Sequence, residues 1–130
     1  MKVYVASRFE NKEEVRRVYS LLVEKGYSIT ADWTIHKRVQ PVTDITRVLA
    51  TEYALEDIEG VIDCDVFIFL TMEKSGTGST TEFGAALLSQ IVRHKPKVYV
   101  VGHYIEQNLF FIHPSVILKQ TIEDVIEELQ

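Results

Sequence analysis

The sequence predicts an α/β domain in which a parallel sheet lies between two layers of helices. Three observations support this fold class. Short runs of branched and aromatic apolar residues recur, as in Val66-Phe67-Ile68-Phe69-Leu70, and such runs are typical of buried parallel strands. Helical segments alternate with these runs, which indicates right-handed crossover connections. The 130 residues are enough for one domain with its own core, without disulfides or a metal.

The predicted elements follow this alternation in order. The strands are expected at residues 3–6, 27–33, 65–71, 97–101 and 109–112, of which the fifth has the weakest pattern. The helices are expected at residues 11–25, 43–62, 79–93 and 121–129. Asn11 is the expected cap of the first helix and Gly26 its end, and Thr43 or Asp44 begins the second. The third helix is expected to pack inward through Ala85, Ala86, Leu87 and Leu88. Five strands in this arrangement predict a flavodoxin-like or Rossmann-like sheet.

Composition excludes several classes of function. A net charge of −5 argues against a nucleic-acid polymer or an anionic membrane as a partner, whereas a small anion held by local groups remains compatible. The single cysteine, Cys64, leaves no disulfide framework and is expected to be a small core residue in a reducing cytoplasm. No apolar run reaches the length of a bilayer span, and the N-terminus lacks the pattern of a signal peptide. These features predict a soluble, cytoplasmic protein.

The segment between the third strand and the third helix is the main candidate for a site. Gly76 and Gly78 allow a sharp turn and a close approach to a ligand, and the hydroxyl-rich helix start after them favours anions. Glu82 is expected in the first helical turn, at the sheet edge where open α/β folds bind ligands. The same residues also form a possible capping box, Ser79-x-x-Glu82, in which the glutamate would only satisfy the helix end.

Further polar groups are expected at the same edge. Ser7 and Arg8 follow the first strand, and Asp32, Trp33 and His36 follow the second. An arginine suits an anion and a tryptophan suits a flat ring. Three of these residues also have a purely structural interpretation. Arg8 could be a solvated charge, Trp33 could cover the core, and His36 could lie in an exposed basic turn. The four histidines show no ligand spacing, so neither a metal site nor a cofactor is predicted.

Several of these segments, in this order, resemble the nucleoside 2-deoxyribosyltransferase family, which includes the deoxynucleoside 5′-monophosphate N-glycosidases. The resemblance covers roughly the first hundred residues. The matching segments are residues 2–8, residues 32–34, Asp57-Ile58-Glu59-Gly60 leading to residues 64–66, and residues 76–78 leading to Glu82-Phe83-Gly84-Ala85-Ala86.

The resemblance implies three catalytic roles. It implies that Glu82 is the nucleophile that attacks the anomeric carbon, that Asp57 assists acid–base chemistry, and that Tyr4 orients the nucleophile. Residue patterns alone do not single out Asp57 among its acidic neighbours on the second helix. Retention at the sugar needs two carboxyl groups about 5 Å apart. A glutamate in the first turn of a helix would be kept ionised by the helix dipole.

The sequence departs from the transferases of this family at the expected sugar 5′ end. Where a transferase has an acid, this chain has Ser75 or Gly76, with Thr77 and Ser79 nearby. Hydroxyls and glycine N–H groups, together with Arg8, suit a phosphate better than a second acid would. The departure therefore favours a 5′-monophosphate. The C-terminal helix does not resemble the tail that completes a neighbouring site in some transferases, although the family implies a homodimer or larger homo-oligomer.

Two other functions fit parts of the sequence. Residues 76–82 are also similar to the glycine-rich signature of the phosphoribohydrolases that release cytokinin bases, although the chain lacks the leading Pro-Gly-Gly of that family. A non-catalytic nucleotide-binding or sensing module would use the glycine loop and Trp33, with Glu82 as a cap only. The sequence leaves open the base, the sugar, and the choice between transfer to a second base and hydrolysis.

Overall fold

Five parallel strands form the central sheet of the computed structural model, which describes residues 1–130. The strands are β1 (Lys2–Ala6), β2 (Ser28–Ile29), β3 (Val66–Leu70), β4 (Lys97–Val101) and β5 (Val116–Lys119). Their spatial order is β2-β1-β3-β4-β5. The α-helices are α1 (Lys12–Glu24), α2 (Arg47–Asp63), α3 (Thr77–Arg93) and α4 (Ile122–Leu129). The predicted α/β fold is therefore confirmed.

The three central strands form the middle of the core. Every residue of β3 is buried, as its unbroken apolar sequence predicts. Tyr4 on β1 stacks on Phe67 of β3, with ring centroids 5.7 Å apart and planes 4° apart. Cys64 lies in the core as expected, and burial raises the pKa of its thiol to about 12. No helix of the structure combines the length and the apolar character needed to cross a bilayer.

The fifth strand was predicted at the wrong place. Leu109–Ile112 form a 3-10 helix, and the strand follows it at β5. The Asn108 side chain caps the 3-10 helix by accepting a hydrogen bond from the Phe110 N–H, 2.9 Å away. Only Phe111 of the four apolar residues is buried. One buried residue in four suits a helical turn rather than a strand, in which side chains alternate between two faces.

The second strand is much shorter than the predicted residues 27–33. β2 contains two residues at the edge of the sheet, and the chain then turns into a 3-10 helix at Trp33–Ile35. The second long helix also begins later than predicted, at Arg47. In the turn before it, the hydroxyl groups of Thr43 and Thr46 each accept the backbone N–H of the other residue. The residue at the N-cap is Thr46, so neither Thr43 nor Asp44 is the cap.

The start of α3 differs from the prediction in a way that changes the site. Gly76 is the N-cap and the helix begins at Thr77, two residues earlier than predicted. The Ser79 hydroxyl donates to the Gly76 carbonyl at 3.0 Å, so the predicted capping box with Glu82 does not form. Glu82 lies in the second turn, not the first. Leu88, predicted to pack inward, is 63% exposed.

The cap predicted for α1 is also only partly correct. Asn11 precedes the helix as expected, but its side chain makes no cap hydrogen bond. Its amide instead donates to the Ser7 hydroxyl at 2.9 Å. Asn11 therefore connects α1 to the loop after β1 rather than closing its own helix end.

Candidate active site

A cavity of about 570 Å³ opens at the carboxyl ends of β1 and β3. This is the sheet edge at which α/β folds of this kind bind ligands. Its walls come from the loop after β1, the loop between β2 and α2, the inner face of α2, and the start of α3. Among the predicted site residues, it is lined by Ser7, Arg8, Trp33, Asp57, Gly76, Gly78, Ser79 and Glu82.

Glu82 and Tyr4 form a hydrogen-bonded pair next to this cavity. The Tyr4 hydroxyl donates to Glu82 Oε2 at 2.6 Å. Because burial outweighs this hydrogen bond, the pKa of Glu82 rises to about 8, and the nearby charge of Asp57 adds to the rise. Burial and the Glu82 charge likewise raise the pKa of the Tyr4 phenol well above its usual value. The expectation that the helix start keeps Glu82 ionised is therefore wrong, because the residue lies in the second turn and is desolvated.

Asp57 is brought to the same cavity by close packing of α2 on the sheet. Gly60, one turn further along α2, is buried, and a Cβ there would lie 2.9 Å from Ala31 Cβ and 3.1 Å from the Tyr4 ring. The absence of a side chain lets the helix approach β1 closely. Burial raises the pKa of Asp57 to about 6, an effect that His36 opposes. Its Oδ1 atom is buried and has no hydrogen-bond partner.

The start of α3 carries backbone N–H groups that no other backbone group accepts. The N–H groups of Thr77, Gly78 and Ser79 precede the first backbone bond of the helix, which runs from Thr80 N–H to the Gly76 carbonyl. Free N–H groups at a helix start bind anions. Arg8 lies against this turn, since a Cβ on Gly76 would be 3.6 Å from Arg8 Cα. The Arg8 guanidinium pairs with Glu10 at 2.9 Å on the exposed side.

Two predicted ligand-binding residues lie outside the cavity lining. The Asp32 carboxylate accepts hydrogen bonds from the N–H and hydroxyl of Thr34, at 2.9 and 2.5 Å, and so caps a 3-10 helix. The Ser75 hydroxyl donates to Gln107 Oε1 at 2.8 Å. Both side chains use local or loop partners instead of the cavity.

Trp33 and Ser7 line the cavity but are already held by the protein. The Trp33 indole N–H donates to the Val5 carbonyl at 2.7 Å, and the side chain is buried against Phe9. The Ser7 hydroxyl donates to the Leu70 carbonyl at 2.9 Å and accepts from Asn11. Trp33 is therefore part of a rigid wall, and Ser7 has little hydrogen-bonding capacity left for a ligand.

Sequence reasoning missed Tyr53 and left the role of His36 open. The interpretation of His36 as an exposed basic turn is wrong, because its side chain is only 9% exposed and stacks on Tyr53 with ring centroids 3.7 Å apart. Tyr53 precedes Asp57 by one helical turn, and this spacing was the available signal. The Tyr53 hydroxyl accepts the Lys37 N–H at 3.0 Å and so ties the loop to α2.

The cation-binding potential of the site is confined to one group of side chains. Ligand atoms of His36, Glu56 and Asp57 lie within 4.8 Å of one another. Spacing in the sequence could not reveal this, because His36 and the two acids come from different elements. The expectation that the protein binds no metal stays a prediction.

The arrangement combines the parts of a carboxylate pair. Glu82 is a desolvated carboxyl group oriented by a phenol, and Asp57 lines the same cavity with a raised pKa. Two buried carboxyl groups that influence each other lose their protons as a pair. Between the two losses the pair holds one proton, so that one group can act as a nucleophile and the other as an acid.

Comparison with solved structures places this geometry among known folds. The CMP N-glycosidase BcmB of Clostridium botulinum superposes with a TM-score of 0.60 at 16% identity, covering 99% of this chain and 98% of that chain. The 2-deoxyribosyltransferase of Bacillus psychrosaccharolyticus superposes with a TM-score of 0.65 at 18% identity, covering 96% and 90%. The chain shares their fold. No protein-family model and no curated protein matches the sequence.

Proposed function

We propose that this protein cleaves the N-glycosidic bond of a 2′-deoxynucleoside or its 5′-monophosphate through a glycosyl-enzyme on Glu82. The observation that carries the proposal is the Tyr4–Glu82 hydrogen bond of 2.6 Å beside a cavity that Asp57 also lines. The fold supports it, because one structure with this fold is a CMP N-glycosidase and another a 2-deoxyribosyltransferase.

The reaction would proceed in two displacements. The reactive form of the pair has Glu82 ionised and Asp57 protonated, and it is the minor form of the singly protonated pair because Glu82 has the higher pKa. Glu82 Oε attacks the anomeric carbon while the bond from that carbon to the base nitrogen breaks, and the proton of the Asp57 carboxyl group passes to the leaving base. Water or a second base then attacks the same carbon, releasing Glu82 as a carboxylate. The Asp57 carboxylate takes the proton from the attacking water or base. The configuration of the sugar is retained because it is inverted twice.

Base release from a panel of substrates tests this function. The panel contains deoxynucleosides, ribonucleosides and their 5′-monophosphates, each with and without a second base as acceptor. Glu82→Ala should abolish base release, and Asp57→Asn should lower kcat by about 100-fold, since general acid catalysis contributes typically 10²–10⁴-fold. Glu52→Gln is the matched control on α2, because Glu52 is exposed and lies outside the cavity lining. If the wild type releases base from no substrate but binds a nucleotide, a sensing module is the better description.

Mass spectrometry of the trapped enzyme tests the covalent step directly. Rapid acid quench of the wild type with substrate should give a species heavier by one glycosyl group, and peptide mapping should place it on Glu82. An unmodified protein throughout a rapid burst of base release would instead indicate direct attack by water.

The cavity also supports a preference for the 5′-monophosphate. Residues 77–79 at the start of α3 line the cavity together with Arg8, Lys37 and Arg38. Glu10 pairs with both arginines, at 2.9 and 3.2 Å. Arg8→Gln should therefore raise KM for a monophosphate by about tenfold, because it removes one hydrogen bond to a charged group. It should leave KM for the nucleoside unchanged. An equal effect on both substrates would count against phosphate binding at this turn.

We further propose that the protein self-associates through the outer faces of α2 and α3. Of the 17 residues of α2, only Gly60 and Val61 are buried, whereas Val48 and Leu55 are 72% and 61% exposed. On α3, Leu88, Ile91 and Val92 are also exposed. Two helices, each about 25 Å long and about 10 Å apart, form a face comparable with the ~800 Å² that each partner loses in a standard interface.

Light scattering coupled to size-exclusion chromatography tests this face. The wild type should elute as a dimer or larger oligomer, and Leu55→Lys should shift it toward the monomer. Val23→Lys serves as the matched control, because Val23 is 58% exposed on α1 and lies off this face. A monomeric wild type at high protein concentration would refute the proposal.

A further inference from the structure

His36 is the one histidine that lines the cavity. Its imidazole stacks on Tyr53 with planes only 4° apart. Its Nδ1 atom lies 3.9 Å from Asp57 Oδ2, and its Nε2 atom lies 3.5 Å from Glu56 Oε1. The ring is therefore held between two acids that both belong to α2.

The two acids select which nitrogen faces which acid. Stacking on Tyr53 fixes the plane of the ring but allows the ring to flip about the Cβ–Cγ bond, and the contacts of Nδ1 with Asp57 and of Nε2 with Glu56 favour one of the two orientations. The side chain is only 9% exposed, so water competes little for either nitrogen. Nδ1 is thus directed toward Asp57. The separation of 3.9 Å exceeds a hydrogen bond, but such contacts in free enzymes often shorten when the substrate binds.

Asp57 has no other protein group that could stabilise its charge on this side. Its Oδ1 atom is buried without a partner, and only Oδ2 faces a donor. When Asp57 gives its proton to a leaving base it becomes a buried carboxylate, and an unpaired charge in such a place is costly. A donor on the far oxygen would lower that cost as the charge develops.

We propose that His36 is a positioning residue that acts through Asp57, orienting its carboxyl group and donating from Nδ1 to the carboxylate that remains after proton transfer. The inference rests on the proposed function and names a further residue of the same site. No proton is consumed at His36: the base nitrogen gains the Asp57 proton, and the imidazole N–H only forms a hydrogen bond. The second displacement returns a proton to Asp57 and restores the starting state.

Other polar and charged groups surround His36 and Asp57 and contribute to the local electrostatic potential. Glu56 and the Tyr53 phenol face the imidazole from α2, and Lys37 and Arg38 follow it in the loop. The His36 charge lowers the pKa of Asp57, against the larger effect of burial. Removal of the imidazole should therefore move the loss of the Asp57 proton to higher pH.

Two substitutions separate the ring from its donor. His36→Phe keeps a ring for Tyr53 and removes the donor, whereas His36→Asn places an amide N–H close to the position of Nδ1 and removes the ring. His36→Phe should lower kcat by about tenfold or more, the effect of losing a hydrogen bond to a charged group, with little change in KM. His36→Asn should recover most of that loss. The basic limb of the kcat/KM profile should shift to higher pH in both variants, because neither carries the imidazole charge, and the shift should be larger in His36→Phe, which also lacks a donor.

A double-mutant cycle tests whether the effect passes through Asp57. In an Asp57→Asn background, His36→Phe should change kcat by less than about twofold, because coupled residues are not additive. Equal losses in both backgrounds, or a fully active His36→Phe, would overturn the inference while leaving the proposed function intact. If the wild type releases no base from any substrate, the proposed function itself fails. All assays contain a chelator, so that a bound cation does not contribute.

Discussion

Replacement of Tyr4 by phenylalanine removes one oxygen from the centre of the site and little else. The Tyr4 side chain is fully buried and stacks on Phe67, and a phenylalanine ring retains that packing. What is lost is the hydrogen bond of 2.6 Å to Glu82 Oε2. The substitution therefore reports on the orientation and charge of the nucleophile rather than on the fold.

The size of the effect follows from the nature of this bond. A hydrogen bond to a charged group contributes about 1.5–3 kcal/mol, and about 1.4 kcal/mol corresponds to a factor of ten in rate. Tyr4→Phe should thus lower kcat/KM by about 10- to 100-fold. The bond also lowers the pKa of Glu82, which burial raises to about 8. Its loss should raise that pKa further, so the acidic limb of the pH profile moves to higher pH.

The assay is base release measured by chromatography from about pH 4 to pH 10, a range that extends about two units beyond the carboxyl pKa values of about 6 and about 8. Tyr99→Phe is the matched control, because Tyr99 is also a fully buried strand tyrosine whose hydroxyl donates to a carboxylate, that of Glu128, outside the cavity. Its kcat/KM should equal that of the wild type. If Tyr4→Phe stays within about twofold of the wild type with an unmoved acidic limb, the hydrogen bond has no catalytic role and the reasoning fails.

Two further predictions concern stability. The folded-state pKa of Glu82 lies at about 8, above its ordinary 4.5. The preference of the folded state for protonated Glu82 therefore adds its full amount to the free energy of unfolding below pH 4.5, and this amount is lost as pH rises to about 8. Glu82→Gln should therefore stabilise the protein by a few kcal/mol at pH 9 and by little at pH 4.5; equal urea midpoints for wild type and variant at pH 9 would contradict this. Gly60→Ala should cost about 1–3 kcal/mol, because its Cβ would lie 2.9 Å from Ala31 Cβ. Gly84→Ala, which meets no atom within 4 Å, should not destabilise α3, and a similar loss in both variants would refute the packing argument.

The sequence predicted the fold where local pattern and tertiary burial agree. β3 and β4 were placed from unbroken apolar runs, because a central parallel strand is buried on both faces. The run at residues 109–112 is equally apolar but has a capping asparagine before it, and only the structure shows that one of its side chains is buried. A short apolar run without periodicity cannot distinguish the two outcomes.

The candidate site was predictable to a smaller extent. Patterns alone could not select Asp57, because it shares α2 with Glu52, Glu56 and Glu59. Its position at the cavity depends on the close packing of α2 at Gly60. The contact of Ser75 with Gln107 could not be predicted, because Gln107 lies 32 residues further along the chain. Side chains held by distant partners are not visible in local sequence. The catalytic roles of Glu82, Asp57 and Tyr4 remain predictions.

The cavity has two kinds of wall, which the hydrogen bond from the Lys37 N–H to the Tyr53 hydroxyl joins. One wall consists of regular elements: Glu82 lies on α3, Tyr4 on β1 and Asp57 on α2. The relative positions of these three side chains therefore depend on the packing of the core. Lys37, Arg38 and Val39 also line the cavity, but they belong to an irregular segment that contains no strand or helix. Substitutions in residues 37–42 should consequently change the substrate preference without changing the positions of the catalytic side chains. That segment is the natural place to diversify in a search for variants with new substrates.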